Sequence, residues 1–180
     1  MLKYKPIIIK KTPLPLPLPL PISKREKPYY EHQDYKDGVT CLDIYTDGSA
    51  TGNLNGGYGV FFADRRIPNI SVRLVGQKIT NNVAELTAML EAMKTVVTSS
   101  VAKTYSSYCI YYDSEYAAGV ITGTKRAHAN LELVKEAVEC YAPLAERLQF
   151  KHVYSHTGAK DLHSIGNKIA DNLAKSCYVD

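Results

Sequence analysis

The sequence predicts an α/β domain built on a mixed five-stranded sheet with helices on both faces. Five short apolar segments have the composition of strands, and four longer segments repeat apolar residues with helical spacing. These elements follow one another in the order β-β-β-α-β-α-α-β-α. Short turn-rich links predict that the first three strands are antiparallel, whereas intervening helices predict that the last two are parallel. Strands 1 and 4 are therefore expected to be parallel neighbours at the sheet centre.

The first half of this pattern contains three strands and one long helix, predicted at residues 41–47, 56–63, 70–75 and 81–98. Asp47 is expected to close the first strand, with Gly48 turning the chain out of the sheet. Glu85 is expected in the first turn of the helix, at the edge of its buried face.

The second half alternates strands with helices. Strands are predicted at residues 105–112 and 148–154. Ser114 is expected to cap a short helix that runs to Ile121, and a further helix is predicted at residues 131–141, before Pro143. Ser164 is expected to cap the final helix, which carries Asp171.

Composition divides the chain into an arm, residues 1–37, and a globular domain, residues 38–180. Residues 1–36 contain eight Lys or Arg against three Asp or Glu, whereas the remainder contains fourteen against fifteen. The basic excess therefore lies in the arm, which is expected to be disordered. Alternating Pro and Leu from Pro13 to Pro21 favour an extended polyproline II spacer. An SH3 ligand is the alternative, but the run lacks P-x-x-P spacing.

The chain has no apolar run close to the roughly 20 residues of a membrane helix, and no secretory signal. Four widely spaced cysteines, with no C-x-x-C pair, are expected to be reduced thiols. A structural zinc site is the alternative, which their sequence spacing argues against. We therefore expect a cytoplasmic or nuclear protein that is not secreted, does not bind membranes and is monomeric.

Four carboxylates occur where a catalytic metal ligand would be placed: Asp47, Glu85, Asp113 and Asp171. Asp47 and Asp113 each end a predicted strand, and sites form at the carboxyl ends of parallel strands. Four clustered acids could not all remain ionised without cations between them. The set therefore indicates a metal-dependent hydrolase, although each acid alone is equally typical of a turn, a helix terminus or a solvated surface.

The order of several motifs resembles that of the type 1 ribonuclease H family, from about Cys41 to Lys175. The motifs are Tyr45-Thr46-Asp47-Gly48-Ser49, Gly52-Asn53, Gly56-Gly57-Tyr58-Gly59, Thr80-Asn81-Asn82, Ala84-Glu85-Leu86, Asp113-Ser114, His156-Thr157-Gly158, Gly166-Asn167 and Asp171. A single such motif would be weak evidence, but the ordered set covers nearly all of the predicted domain. The resemblance implies the ribonuclease H-like fold.

The resemblance also implies an activity, which is endonucleolytic cutting of the RNA strand of RNA–DNA hybrids. It implies two Mg²⁺ ions, for which Mn²⁺ can substitute, held by Asp47, Glu85, Asp113 and Asp171. By the same likeness Asp47 bridges both ions, and the products carry 5′-phosphate and 3′-hydroxyl ends.

His156 matches the loop histidine that assists proton movement in the family. Residues 159–163 look like an insertion in that loop, which leaves His163 as a second candidate. The resemblance further implies that substrate contacts involve a larger set, comprising Gly48, Ser49, Asn53, Lys78, Thr80, Asn81, Asn82 and Asn167. Recognition of the RNA 2′-hydroxyl would distinguish RNA from DNA.

Two other functions remain open on this evidence. One is another nuclease of the same fold that acts on junctions or DNA, and the other is a non-catalytic hybrid-binding module. The presence of all four acids disfavours the second. The basic arm that follows Met1 favours a free-standing enzyme over a detached reverse transcriptase domain, and its partner is unknown.

Overall fold

The structure is a computed structural model that describes residues 40–76, 78–154 and 161–178. Its elements follow the predicted order. The strands are β1 Cys41–Thr51, β2 Asn55–Phe62, β3 Ile70–Leu74, β4 Ser107–Tyr112 and β5 Leu148–His152. The α-helices are α1 Asn81–Thr98, α2 Glu115–Thr122, α3 Leu131–Tyr141 and α4 Leu162–Ser176. The predicted arm and residues 155–160 lie outside the described residues.

The five strands form one mixed sheet in the order β3-β2-β1-β4-β5. β1 pairs antiparallel with β2, and β2 pairs antiparallel with β3. β1 pairs parallel with β4, and β4 pairs parallel with β5. The predicted fold class is therefore confirmed, with β1 and β4 adjacent at the sheet centre.

Helices cover both faces of the sheet. On one face α1, α2 and α3 contact one another and build the larger apolar core, which includes Leu42, Ile44 and Leu86. On the other face α4 packs across β1, β2 and β3, over a smaller cluster centred on Tyr45 and Phe61. Because side chains alternate along a strand, neighbouring residues of β1 belong to these two different cores.

β1 is longer than predicted. The parallel pairing with β4 ends at Tyr45 and Tyr111, but the antiparallel pairing with β2 continues to Thr51 and Asn55. Asp47 therefore lies within a strand rather than at its end, and the prediction that Gly48 turns out of the sheet is wrong. The physical reason is that β2 returns along the same strand, so β1 remains paired after its parallel neighbour has ended.

Glu85 does not lie in the first turn of its helix. Thr80 is the N-cap of α1, and its side chain accepts a hydrogen bond from the Val83 amide. Glu85 is the fifth helical residue, so the helix dipole is not the reason for its position. It is buried, with 6% of its surface exposed.

The final helix begins earlier than predicted. Asp161, not Ser164, is its N-cap, and one Asp161 oxygen accepts hydrogen bonds from the amides of His163 and Ser164. The Ser164 hydroxyl donates to the other Asp161 oxygen at 2.6 Å. The predicted insertion thus supplies the cap and first residues of α4. Among the described residues, no helix is long and apolar enough to cross a membrane.

Candidate metal centre

Three carboxylates converge at the centre of the sheet. Asp47 extends from β1, Glu85 from α1, and Asp113 from the residue that follows β4. One oxygen from each lies within 4.8 Å of the other two. Such a group can coordinate a metal ion between three different elements of the fold.

The pairing of strands places two of these acids side by side. Tyr45 lies opposite Tyr111 in the parallel ladder, so Asp47 and Asp113 are each two residues beyond that pair. Residues two positions apart on a strand point to the same face. Asp47 therefore points to the same face of the sheet as Tyr45, and Asp113 follows Tyr111 at the same spacing.

Gly48 brings the third acid close. A Cβ atom at this position would collide with the backbone at Ala84 and Glu85, so only glycine lets α1 lie directly on β1. The Gly48 amide also donates to Asp47 Oδ1 at 2.8 Å. Gly48 thus joins Glu85 to Asp47, and its predicted contact with substrate stays a prediction.

Asp171 reaches the cluster from the opposite face. Gly59 permits this approach, since a Cβ atom there would collide with the α4 backbone at Ala170 and Ala174. Asp171 is close enough to Asp47 to raise the pKa of that acid, although it is not one of the three acids whose oxygens all lie within 4.8 Å of one another. Lys175 pairs with Asp171 Oδ1 at 2.6 Å, so the fourth acid already has a cationic neighbour.

The crowding changes the acidity of the three central acids. Burial, followed by the charges of Asp113 and Asp171, raises the pKa of Asp47 to about 8. Burial and then the charges of Asp47 and Asp113 raise the pKa of Glu85 well above its ordinary value. Burial likewise raises the pKa of Asp113. Ionisation of all three acids together is therefore unfavourable unless a cation stabilises their charges.

A divalent cation suits the donors present. All four acids offer carboxylate oxygens, which favour hard ions such as Mg²⁺ and Mn²⁺. Glu85 Oε2 is buried and has no hydrogen-bond partner among the residues that the structure describes. A buried, unsatisfied carboxylate oxygen is costly, and a coordinated ion would remove that cost.

Asn167 lies beside the acidic cluster, and its predicted contact with substrate stays a prediction. Its side chain is buried and hydrogen-bonds to the Asp113 carboxylate, which it helps to keep ionised. The other end of the amide, Oδ1, is buried without a partner. The sequence contains one indication of this position. Asn167 lies one helical turn before Asp171, so the two side chains are on the same face of the helix.

Of the two candidate histidines, the structure describes only His163. His156 lies outside the described residues, so its role stays a prediction. His163 is held in a stack of rings, 4.2 Å from the Tyr111 ring centre, and its Nδ1 lies 3.0 Å from the Tyr45 hydroxyl. These contacts give His163 a packing role between α4 and the sheet.

Three predicted substrate contacts are engaged within the protein. The Ser49 hydroxyl lies 2.5 Å from that of Tyr178. Asn81 Oδ1 accepts a hydrogen bond from the Ala50 amide at 2.8 Å, and Thr80 caps α1. The Asn81 bond ties the start of α1 to the end of β1, whereas the Ser49 contact joins β1 to the residues that follow α4.

The remaining predicted contacts lie on one exposed edge, formed by the loops that carry Asn53 and Lys78 and by the start of α1. Asn53 and Lys78 both have left-handed backbone conformations, at φ values of 59° and 60°. The Asn53 carbonyl accepts a hydrogen bond from the Ile79 amide, which joins the two loops. Asn82 is exposed in the first turn of α1. These side chains are accessible to a ligand.

Comparison with known proteins gives one consistent family. The RNase H family model matches residues 40–178. Ribonuclease H of Schizosaccharomyces pombe is 26% identical over 165 residues, which span 85% of this chain and 60% of the relative. For ribonuclease H of Saccharomyces cerevisiae the identity is 27%, over 74% of this chain and 44% of the relative. The chain thus spans about half the length of these yeast relatives.

A bacterial relative matches over more of its own length. Ribonuclease H of Orientia tsutsugamushi is 33% identical over 153 residues, which span 77% of this chain and 83% of the relative. Among solved structures, LC11-RNase H1 from compost superposes with a TM-score of 0.61 at 23% identity, over 77% of this chain and 96% of that one. The same protein in complex with an RNA/DNA hybrid gives a TM-score of 0.57 at 22% identity, over 76% and 96%.

Proposed function

Because this chain belongs to the RNase H family, we propose that it hydrolyses the RNA strand of RNA–DNA hybrids with two divalent cations, Mg²⁺ being the physiological metal. Cleavage is endonucleolytic and leaves 5′-phosphate and 3′-hydroxyl ends. Asp47, Glu85, Asp113 and Asp171 are the proposed ligands, and Asp47 is proposed to bridge the two ions. Mn²⁺ is expected to substitute.

The observation that carries this proposal is the convergence of three acids, of which Asp47 and Glu85 are buried and Asp113 is half-buried. Asp47, Glu85 and Asp113 present oxygens within 4.8 Å of one another, and Glu85 Oε2 lacks a partner. A fold gains nothing from burying like charges together, because each raises the energy of ionising the others. Their convergence therefore favours a role in binding cations.

Two bound divalent ions would supply an activated water and would offset the charge on the departing 3′ oxygen. The chain's own residues determine where that chemistry takes place. The Gly48 amide holds Asp47, and Asn167 holds Asp113. Lys175 fixes the orientation of Asp171. These contacts hold the oxygens in place before substrate binds, which reduces the reorganisation needed for reaction.

His156 is proposed to move protons at the cleavage site. Its pKa range suits proton transfer near neutral pH. The residues of the exposed edge, Asn53, Lys78 and Asn82, are proposed to contact the sugars and phosphates of the hybrid. Thr80, Asn81 and Ser49 are proposed to shape this surface through their internal hydrogen bonds.

The arm is proposed to add affinity through phosphate contacts, since the excess of positive charge lies in residues 1–36. Four free cysteines support a reducing compartment, and we propose that the protein is cytoplasmic or nuclear. We propose that it acts as a monomer.

A cleavage assay tests the proposed function. An RNA–DNA hybrid with labelled RNA is incubated with the protein, with Mg²⁺ or with EDTA, and compared with duplex RNA, duplex DNA and a DNA junction. We expect internal cuts in the RNA strand of the hybrid alone, and only with Mg²⁺. Cleavage of the junction or of duplex DNA would support another nuclease of this fold, and binding without cleavage would support a non-catalytic module.

A further inference from the structure

A second group of potential ligands lies on β1 and β4, away from the acidic cluster. Cys41, Asp43 and Cys109 present two sulfurs and a carboxylate oxygen within 4.8 Å of one another. Asp43 and Cys109 are buried, whereas Cys41 is half-exposed at the start of β1. An ion could therefore enter past Cys41.

We propose that Cys41, Asp43 and Cys109 form a binding site for a thiophilic divalent cation such as Zn²⁺. Two thiolates and a carboxylate are ligands that zinc accepts, and a water would complete a tetrahedral site. Their sequence separation argued against zinc, but parallel pairing of β1 with β4 brings Cys109 opposite Asp43. The carboxylate donors of the acidic cluster favour harder ions, so the two sites differ in selectivity.

The geometry requires only a small adjustment. The two sulfurs lie 2.9 Å apart. In a tetrahedral zinc site, with Zn–S bonds of about 2.3 Å, they would lie about 3.8 Å apart. Cys41 is half-exposed and can open that distance by rotating its side chain. The register makes the two cysteines diagonal neighbours rather than a directly opposed pair, since Cys41 lies opposite Ser107.

The surroundings balance the charge of the proposed site. Two thiolates, one carboxylate and one divalent cation sum to minus one, and Lys151 lies within hydrogen-bonding reach of the Cys109 sulfur. The Tyr111 hydroxyl is near Asp43, whose charge contributes to raising the pKa of Tyr111, and a neighbour of this kind can orient a ligating carboxylate. Burial raises the pKa of Cys41 to about 12, so that a binding cation must displace a proton.

The position indicates a structural role. Asp43 and Asp47 lie on the same face of β1, four residues and hence about 13 Å apart. The stacked rings of Tyr45, Tyr111 and His163 occupy the space between them. An ion at the proposed site would join β1 to β4, the two elements that position Asp47 and Asp113.

Titration with Co²⁺ as a spectroscopic probe tests the proposal. The reduced full-length chain is titrated with excess Mg²⁺ present, so that oxygen-only sites are occupied. We expect a thiolate-to-cobalt charge-transfer band that saturates at one ion per chain and disappears when Zn²⁺ is added. Cys41→Ser and Cys109→Ser should abolish the band, and Asp43→Asn should weaken binding about 10-fold or more.

Matched controls are Cys140→Ser and Cys177→Ser, which should keep the band because neither cysteine contributes to the group. Absence of a thiolate band at saturating Co²⁺, or its persistence in Cys41→Ser, overturns the proposal. If the variants do not fold, the proposal is tested by alkylating the cysteines of the wild-type chain with and without Zn²⁺. Zn²⁺ should protect Cys41 relative to Cys140, whereas equal labelling, or a Cys41–Cys109 disulfide formed under the reducing conditions, contradicts it.

Discussion

Buried acids in this protein occupy two opposite kinds of environment. Asp64, which follows β2, is fully buried and accepts hydrogen bonds from the Arg66 guanidinium and from the Tyr105 hydroxyl at 2.8 Å. Burial alone would raise its pKa, but these partners outweigh burial and hold the pKa below its ordinary value. Asp47 and Glu85 are surrounded by further acids, and their pKa values are raised.

The difference separates a structural carboxylate from one that is suited to bind a ligand. At Asp64 the fold supplies its own cation, so the site is complete. Beside Asp47, the ammonium of Lys175 pairs with Asp171, and within the described part of the chain Glu85 retains an unsatisfied oxygen. Perturbed acids of the second kind are typical of functional sites.

Among the variants that test this comparison, Asp47→Asn is expected to have the largest effect, which is on hybrid cleavage. Loss of a shared metal ligand should reduce hybrid cleavage by about 10³-fold or more, since a bound ion contributes several kcal/mol to transition-state stabilisation. The metal-free fold should be as stable as the wild type or more so, because one repelling charge is removed. Cleavage rates and urea unfolding measure the two parts, and substantial residual activity would contradict a metal-binding role.

His156→Ala should have a smaller effect on the same site. Proton transfer by a single group typically contributes about 10²-fold, so turnover should fall by that factor or less. Cation affinity should not change, because the acids bind the ions. Single-turnover cleavage and calorimetric Mg²⁺ titration separate these quantities, with His163→Ala as the comparison. A loss as large as that of Asp47→Asn would refute this division of roles.

Asp64→Asn should affect stability rather than catalysis. The amide cannot accept all of the hydrogen bonds from Arg66 and Tyr105, so unfolding should become easier by about 1–3 kcal/mol. Cleavage per folded molecule should remain at the wild-type rate. Urea unfolding and cleavage at low temperature provide the test, and a variant that is fully stable but inactive would invalidate the comparison.

The pH dependence of stability should have opposite signs at the two groups. In EDTA, the bound proton of Asp47 stabilises the fold because the pKa of Asp47 is raised. This contribution to the free energy of unfolding is fully present below the ordinary pKa of 3.8, and it is lost as the pH rises towards about 8. The melting temperature of the metal-free protein should therefore fall across this range, less steeply in Asp47→Asn. At Asp64 the pKa is lowered, so its ionised carboxylate stabilises the fold at pH values above its ordinary pKa. That contribution disappears on acidification. A melting temperature that rises with pH without metal would contradict the effect at Asp47.

Removal of residues 1–36 should leave both groups unchanged and have the smallest effect. Hybrid binding should weaken mainly at low salt, and the dependence of affinity on salt should become shallower, because phosphate contacts by the arm would be lost. Cleavage of saturating hybrid should not change. An identical salt dependence with and without the arm would mean that the arm is only a spacer.

The fold and the convergence of Asp47, Glu85 and Asp113 could be predicted from local sequence patterns and from the order of the motifs. Alternating strands and periodic helices determined the topology, and strand ends located Asp113. The length of β1 depends on its antiparallel pairing with β2, a contact between distant residues that its own sequence does not reveal. The use of Asn167 as a partner of Asp113 likewise depends on how α4 crosses the sheet.

The convergence of Cys41 with Cys109 could not be predicted either, since it requires the register of β1 against β4. Spacing along the chain is informative for ligands on one helix or hairpin, where the geometry is local. It carries no information about ligands on strands that are distant in sequence and adjacent only in the sheet.

Anomalous scattering from Mn²⁺ tests the central claim most directly. Crystals of the protein with a non-hydrolysable RNA–DNA hybrid would be grown with Mn²⁺ and measured at the manganese absorption edge. We predict two anomalous peaks, both within coordinating distance of Asp47, with Glu85, Asp113 and Asp171 completing their ligand sets. Peaks located elsewhere, or no peak among these acids when the hybrid is bound, would contradict the account.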